Sequence, residues 1–471
     1  MKKIAFCVFL VCNGFMAQTP CENGFAGSFP CEGYDLVSQI PLSAFNSVKA
    51  NDSWGWTDPL DQKEYAIICL NEGTAFIDIS DPINPVYLGQ LPGESSEHTT
   101  WRDVKVYANY AFIVSEDSNH GMQVFDLTRL RNVANPPEAF TNDAYYNAFG
   151  SAHNIAINDA TGYAYVLGTA TFSGGPHFID IQDPLNPTPA GGFADEGYTH
   201  DAQIVVYNGP DGDYAGREIL FAANETRIVI ADVTDKNDPL FIASIAYSNV
   251  SYTHQGWLTE DQKYFILGDE SDEIDFGINS RSLVFNVEDL DNPEFYFAYS
   301  GPTGATDHNG YVKGTKFYLA NNAAGLRVVD ISDIDSATMV QEGFFDSYPT
   351  NNSAGFNGSW NVYPFFESGH IVISDRAQGF MLVKASEVLG SEGVGEMVPF
   401  GLTPNPVTDK LQIASNSGEI QKITILDISG KTIIEIKGSS TNLLELELSG
   451  IASGIYFVSI NDTAVYKIIK N

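Results

Sequence analysis

The chain has only eight histidines, and four of them occupy matching places in a repeating pattern: His153 in AHNIAI, His200 in THDAQIV, His254 in THQGWL and His308 in DHNGYV. Each stands at the start of an apolar run. Acids close the run that follows: Glu72 in LNEG, Glu116 in VSED, Glu225 in ANET, Asp269 and Glu270 in GDES, and Asp375 in ISDR, with Asn321 and Asn322 there once. Asp201 and Asp307 adjoin their His. Imidazole nitrogen with carboxylate oxygen is a donor set for Zn, Mn, Fe or Ni, and a neighbouring carboxylate can orient a ring through its other nitrogen. With an open coordination position such a metal activates water for hydrolysis or lyase chemistry. The candidate ligands are His153, His200, His254, His308, Glu225, Glu270 and Asp307. The spacing is not a compact motif such as HExxH. A repeat also copies its structural residues, so each His could instead bond the backbone of a neighbouring unit.

The elements that must position these residues are announced by another phrase, an apolar strand ending in Asp before a turn of Asp, Asn and Pro. It reads FIDISDPINP at 76–85, FIDIQDPLNP at 178–187, IVIADVTDKNDP at 228–239 and LVFNVEDLDNP at 283–293. Weaker copies start at Met122, Leu326 and Phe380, making seven. Aligned on the strand's last residue, they recur about every 44 to 54 residues. Each unit divides into four short strands, as in HNIAIND, GYAYVLGT, PHFIDIQD and TPAGGF. Runs of Val, Ile, Tyr and Phe bounded by Gly, Asn, Asp and Pro are strand signals. Four strands per unit at this period predict a seven-bladed β-propeller within 48–388. The seventh unit lacks a fourth strand, and YDLVSQIPL at 34–42 is expected to supply it, closing the ring and removing a sheet edge.

First strands line a propeller's central channel, so the four His are expected around its mouth. The matching places in the other blades are read as Trp56, Trp101 or Arg102, and Trp360. Strand two returns to the same face and brings Glu72, Glu116 and Asp375 with it. Trp54, Trp56, Trp101 and Trp360 could stack on a sugar ring there or pack blade against blade. In an acidic insertion, SDEIDFGINSR at 271–281, Asp272, Glu273 and Asp275 are oxygen donors suited to Ca²⁺, or a solvated loop. No nucleophile elbow, P-loop, dinucleotide fingerprint or Cys-based metal motif is present.

The formal charge is −36. That argues against nucleic acid and against an anionic membrane surface; it permits a cationic partner or a bound divalent metal. Residues 1–18 read as a secretory signal, with Lys2 and Lys3 ahead of a short apolar run. No other stretch is apolar enough to span a bilayer. Export makes disulfides feasible, and within the segment 19–47 Cys21 and Cys31 are the candidate pair. Cys69, in the apolar run YAIICL, is expected to be a buried thiol. Residues 389–398 read as a Gly-rich linker. Beyond it, residues 399–471 hold six Lys against seven Asp or Glu, so the acidity belongs to the propeller. About six alternating runs there predict a small β-sandwich.

Two resemblances follow. The tail, through LTPNPVTDKLQI, ITILDISGK, ELSGIASGIYFVSI and YKIIKN, resembles the type A C-terminal sorting domain of bacterial type IX secretion substrates. This implies that the type IX machinery is a partner of residues 399–471, and that the protein is released or attached at the outer cell surface. The propeller resembles LVIVD-repeat proteins of the choice-of-anchor B group. The matching segments are PCENGFAGSFPC, WGWTDP, WRDVKVY, HGMQVFDL, THQGWLTEDQKYFILGDESDE, DHNGYVKG, AGLRVVDIS and GSWNVYPFF. That resemblance implies the fold and a surface location. From the residues, two functions are expected to compete: a module binding an extracellular ligand or protein at the His/acid face, and a metal-dependent hydrolase or lyase using the same ring.

Overall fold

The computed structural model describes residues 18–386 and 400–471, apart from residues 405, 416–418, 428–429, 442 and 462–463. The signal (all but its last residue) and the linker lie outside the described residues. The chain divides into two compact units after Ser386.

The first unit holds seven antiparallel sheets, each built on four strands. Their first strands are Ala50–Thr57, Arg102–Tyr107, Asn154–Asn158, Asp201–Val206, Thr253–Leu258, Gly310–Lys313 and Ser359–Tyr363. Each neighbours the next, and the last neighbours the first, so the sheets form a closed ring. Big apolar side chains fill the space between adjacent sheets. Phe76 stacks on Phe125 at 4.5 Å between the first and second, for example.

The recurring Asp has a local physical job. Its side chain accepts the backbone N–H two residues on, which turns the chain out of strand three. Asp78 takes Ser80 at 2.8 Å, Asp180 takes Gln182 at 3.0 Å, Asp232 takes Thr234 at 2.9 Å and Asp330 takes Ser332 at 2.8 Å. Asn286 does the same for Glu288 at 2.8 Å. In the DPxNP form the following Asp also accepts from the Asn amide, as Asp81 does from Asn84 at 3.0 Å and Asp183 from Asn186 at 2.9 Å.

Ring closure runs through the N-terminal strand Tyr34–Ile40, which pairs antiparallel with Gly379–Ala385. Leu36 packs into the core shared with the sixth sheet and Val37 into the core shared with the first. Cys21 and Cys31 form a disulfide just before this strand, and Cys69 is buried and free. The short strand Phe29–Glu32 extends the sixth sheet beyond its fourth strand. The second sheet departs from the plain pattern: its outer strand, Ala144–Tyr146, comes only after a 3₁₀ turn and a two-residue strand, Glu138–Ala139, that pairs with the first sheet.

The second unit is a pair of sheets on one apolar core that includes Leu411, Ile413, Ile423, Ile425, Leu446 and Val458. One sheet has three strands and the other four. The extra strand relative to the sequence expectation is Phe400–Thr403. Among the described residues no helix is long and apolar enough to cross a membrane.

Candidate ligand pocket at the mouth of the ring

Two consecutive residues stand at or just before the start of each first strand, and they fall into an upper and a lower set. The outer layer is Asn51, Arg102, His153, His200, His254, His308 and Trp360; the layer beneath is Asp52, Asp103, Asn154, Asp201, Gln255, Asn309 and Asn361. The lower layer stitches blade to blade. Asp103 accepts the Ile155 amide at 2.9 Å and Gln255 accepts the Gly310 amide at 2.9 Å. Asn154 donates to the His200 carbonyl at 3.0 Å, and Asn361 to the Ser53 carbonyl at 2.7 Å. Burial pushes Asp201 up to about 7.

Above it, the four imidazoles stand shoulder to shoulder. Ring centres are 4.3 Å apart from His153 to His200, 4.3 Å from His200 to His254, 4.4 Å from His254 to His308, and 4.1 Å from His308 to Trp360. The space they enclose with Asp52, Arg102, Asn154 and Asn309 is only about 10 Å³, room for about one water. The His layer is therefore a floor. Over it opens a pocket of about 250 Å³ walled by Trp101, Glu116, Tyr198, Tyr252, Glu270 and Trp360.

His200 donates from Nδ1 to the His254 carbonyl at 2.9 Å. A carbonyl only accepts, so Nδ1 carries the proton. Burial and the neighbouring imidazoles hold His200 well below the usual imidazole range, so the ring is neutral and Nε2 is a bare acceptor. The carbonyls of His308 and Trp360 partly offset burial at His254 and His308, although neither Nδ1 reaches hydrogen-bond geometry. Burial drives His308 down to about 3. The Nε2 atoms of His254 and His308 lie 3.8 and 3.5 Å from the two oxygens of Glu270. Burial lifts Glu270 to about 8 even with the Arg376 guanidinium opposing it. At the other end His153 Nδ1 is 2.6 Å from Glu116. Arg376 lies over the Trp360 ring at 4.5 Å.

The structure gathers His153, His200, His254, His308, Glu116, Glu270, Trp101 and Trp360 at one pocket, and places the candidates that follow elsewhere. Glu225 is exposed, in a left-handed turn, outside the pocket lining, and its carbonyl accepts from the Thr253 amide of the next blade at 2.6 Å. Asp307 turns away from His308 into a buried group with Asp272 and Glu273. Trp56 packs on Tyr65 at 5.0 Å in the core between the first two blades. Its expected place belongs to Asn51, five residues earlier in the same strand, Ala50–Thr57. Arg102 is sealed below the mouth, bonded to Asp117 at 3.1 Å, His120 at 2.7 Å and the Leu70 carbonyl at 3.2 Å. Glu72 lies near Arg102 and outside the pocket lining. Asp375 accepts from Ser347 at 2.6 Å and from the amides of Ala377 and Gln378, fixing a turn. Tyr198 and Tyr252 went unread in the sequence although a signal existed: YTH occurs at 198–200 and again at 252–254.

The first unit is thus a β-propeller with a floored pocket at one face. Comparison with known proteins places LVIVD repeats at residues 100–138 and 311–342, and a secretion system C-terminal sorting domain at residues 402–471. That tail is handled by the type IX secretion system and marks the protein for export to the cell surface or extracellular space. No curated protein matches the chain. Among solved structures, hydrazine synthase of Kuenenia stuttgartiensis aligns at TM-score 0.50 and 11% identity, over 73% of this chain and 97% of that one. PorZ, a surface component of the type IX secretion system of Porphyromonas gingivalis, aligns at 0.42 and 12%, over 93% and 58%. The Cps50 (Swd1) β-propeller domain of Myceliophteria thermophila aligns at 0.45 and 10%, over 74% and 98%. The first of these likenesses bears on the fold alone.

Proposed function

We propose that this exported propeller is a surface receptor module that binds a small cationic, amine-bearing ligand in the mouth pocket. The observation that carries the reading is the neutral His200 ring, whose Nδ1 is committed to a backbone carbonyl and whose acceptor Nε2 is left for a donor. Glu116 lies on one side of that floor and Glu270 on the other, where a bound cation would draw the Glu270 carboxyl, lifted to about 8 by burial, into its ionised form. Trp101, Tyr198, Tyr252 and Trp360 supply aromatic surface that attracts cations. A chain of formal charge −36 also draws cations toward its surface. The test is a titration of the full chain with tetramethylammonium, primary amines and neutral monosaccharides, followed by tryptophan fluorescence and calorimetry. Saturable binding of amines that is lost in Trp360→Ala and Glu116→Gln supports the proposal. Binding of sugars with no response to amines refutes it.

A second reading has its own observation. One ligand atom each from His254, Glu270 and His308 lies within 4.8 Å of the others, a set suited to Zn or another divalent transition metal. A metal there would turn the same pocket toward hydrolase or lyase chemistry. Elemental analysis of the purified chain, beside His254→Ala and His308→Ala, separates the two readings. One equivalent of metal lost in both variants favours the metal; none after supplementation excludes it. Assignment to the choice-of-anchor B group, and release as against attachment at the surface, belong to the same proposal and rest on the sequence segments alone.

A further inference from the structure

Asp307 carries an inference separate from the mouth pocket. It is fully buried, and no donor reaches Oδ1 or Oδ2. Against it lie two acids of the insertion in the fifth blade, Asp272 and Glu273, both buried. One oxygen from each of the three lies within 4.8 Å of the others. Asp272 Oδ1 and Glu273 Oε2 also lack partners. The one cation at hand, Arg281, is spent on the other oxygen of Asp272, at 2.7 Å, and on Asp269 at 3.8 Å. Three carboxylates with four unpartnered buried oxygens are therefore left facing one another. Leaving buried polar groups unpaired costs about 1–3 kcal/mol each, and more when they are charged.

The placement is built into the backbone. A Cβ added to Gly268 would stand 2.4 Å from Asp307 Oδ2, so Asp307 seats there only against glycine. Asp272 and Glu273 open the short helix Asp272–Phe276, and the Asp307 amide approaches Glu273 Oε1 at 3.4 Å. A span of 4.8 Å between oxygens is one that an ion bonded at about 2.3–2.6 Å bridges. The donors are all oxygen and all acidic, which selects a hard cation; Ca²⁺ accepts irregular carboxylate sets, whereas Mg²⁺ demands an octahedron and keeps its waters.

We propose that Asp272, Glu273 and Asp307 form a Ca²⁺ site that staples the fifth blade to the sixth. The site shares no residue with the pocket lining, but Asp272 follows Glu270 by two residues and Asp307 precedes His308. Bound Ca²⁺ would thus fix the turn that carries Glu270 and the strand that starts with His308. The competing account of the same contacts is a proton shared between Glu273 and Asp307, both of which burial pushes upward in pKa.

The test uses the full chain, stripped with EDTA and desalted at neutral pH. Calorimetric titration with CaCl₂ up to about 10 mM, tenfold above the weaker extracellular sites, should show one Ca²⁺ per chain and a rise in melting temperature. Asp307→Asn should abolish both. Glu273→Gln should weaken binding at least tenfold and serves in its place if Asp307→Asn fails to fold. Asp289→Asn removes a member of the exposed group Asp211, Asp289 and Asp291, and should change neither. No uptake by the wild-type chain overturns the proposal in favour of the shared proton. Uptake lost in Asp289→Asn but kept in Asp307→Asn overturns it in favour of the exposed acids.

Discussion

If the N-terminal strand closes the ring, two small truncations within it should loosen the whole propeller. Leu36 and Val37 are 7% and 4% exposed. Leu36 packs among Tyr311, Val328 and Phe345 of the sixth blade and Ile371 and Val383 of the seventh. Val37 packs toward Ala66, Ile68 and Ile77 of the first blade. Leu36→Ala should cost about 2–5 kcal/mol, the range for a buried Leu that leaves a cavity. Val37→Ala removes about two methylene equivalents at ~0.8 kcal/mol each, plus a smaller cavity, so about 2 kcal/mol. Facing opposite cores, the two should nearly add, to roughly 4–7 kcal/mol. Domains are stable by only about 5–15 kcal/mol, so the double variant should sit near unfolding.

Urea denaturation followed by tryptophan fluorescence reads this directly. With a slope near the upper end of the usual range, about 3 kcal/mol/M, Leu36→Ala should lower the midpoint by about 1 M. Val86 makes the control, because it lies on the corresponding outer strand of the first blade, Val86–Pro92, and is 43% exposed. Val86→Ala should move the midpoint by no more than about 0.2 M, as surface substitutions stay within about 0.5 kcal/mol. Equal shifts at Leu36 and Val86, or none at Leu36, would refute closure by this strand.

Four further outcomes are expected. Glu270 sits at about 8 when the pocket is empty, and a cation favours its ionised form. Below that pH amine affinity should rise by up to about tenfold per pH unit, levelling above it, with Glu270→Gln flattening the profile in calorimetry. His308 is held at about 3 against 6.5 unfolded. Its depressed value lends stability that is present above 6.5 and lost as pH falls toward 3, so His308→Asn should flatten the acid side of a stability–pH curve by about 1.4 kcal/mol per unit. Replacing Cys21 and Cys31 by Ser opens a loop with a sequence separation of 10, and should cost about 2–3 kcal/mol in the same urea assay. Truncation before Phe400 should leave the propeller folded but abolish surface delivery, read by protease accessibility on intact cells; normal delivery would contradict the tail's role.

The architecture was legible because its determinants are local. An Asp that caps its own strand end, as Asp78 and Asp180 do, writes the same letters wherever the same turn is made. The closing strand was legible by subtraction, since the seventh unit lacked a partner that 34–42 resembled. The pocket was only half legible. Equivalent His could be lined up by pattern, but a one-residue uncertainty in register sends a side chain to the other face of a strand. In the first blade the strand Ala50–Thr57 carries both Asn51 and Trp56, and the sequence pattern alone favours the aromatic residue five positions too late. The surroundings of Asp307 were illegible for another reason. Its fate depends on the absence of a side chain at Gly268 and on an insertion that folds back from 35 positions upstream, and neither is written beside it.

The two layers at the mouth also explain why one kind of residue repeats strictly there and the other does not. The lower position hands a hydrogen bond to the next blade at Asp103, Asn154, Gln255, Asn309 and Asn361, and in every blade it holds only Asp, Asn or Gln. The upper position has no such duty in common, and it runs through Asn, Arg, four His and Trp. Four consecutive imidazoles are more than stitching requires, because Asn154, Gln255 and Asn309 beneath three of them already make such bonds. His200 shows what the surplus is for. One nitrogen is used to hold the ring against the neighbouring blade, which fixes the tautomer, and the other is thereby offered as an acceptor at the floor of a pocket. A structural role and a binding role are then two ends of one imidazole. Measurement can tell them apart: His200→Asn, which retains a donor for the His254 carbonyl, should keep most of the stability and lose most of the amine affinity, and equal losses of both would show that the ring serves only to hold the blades together.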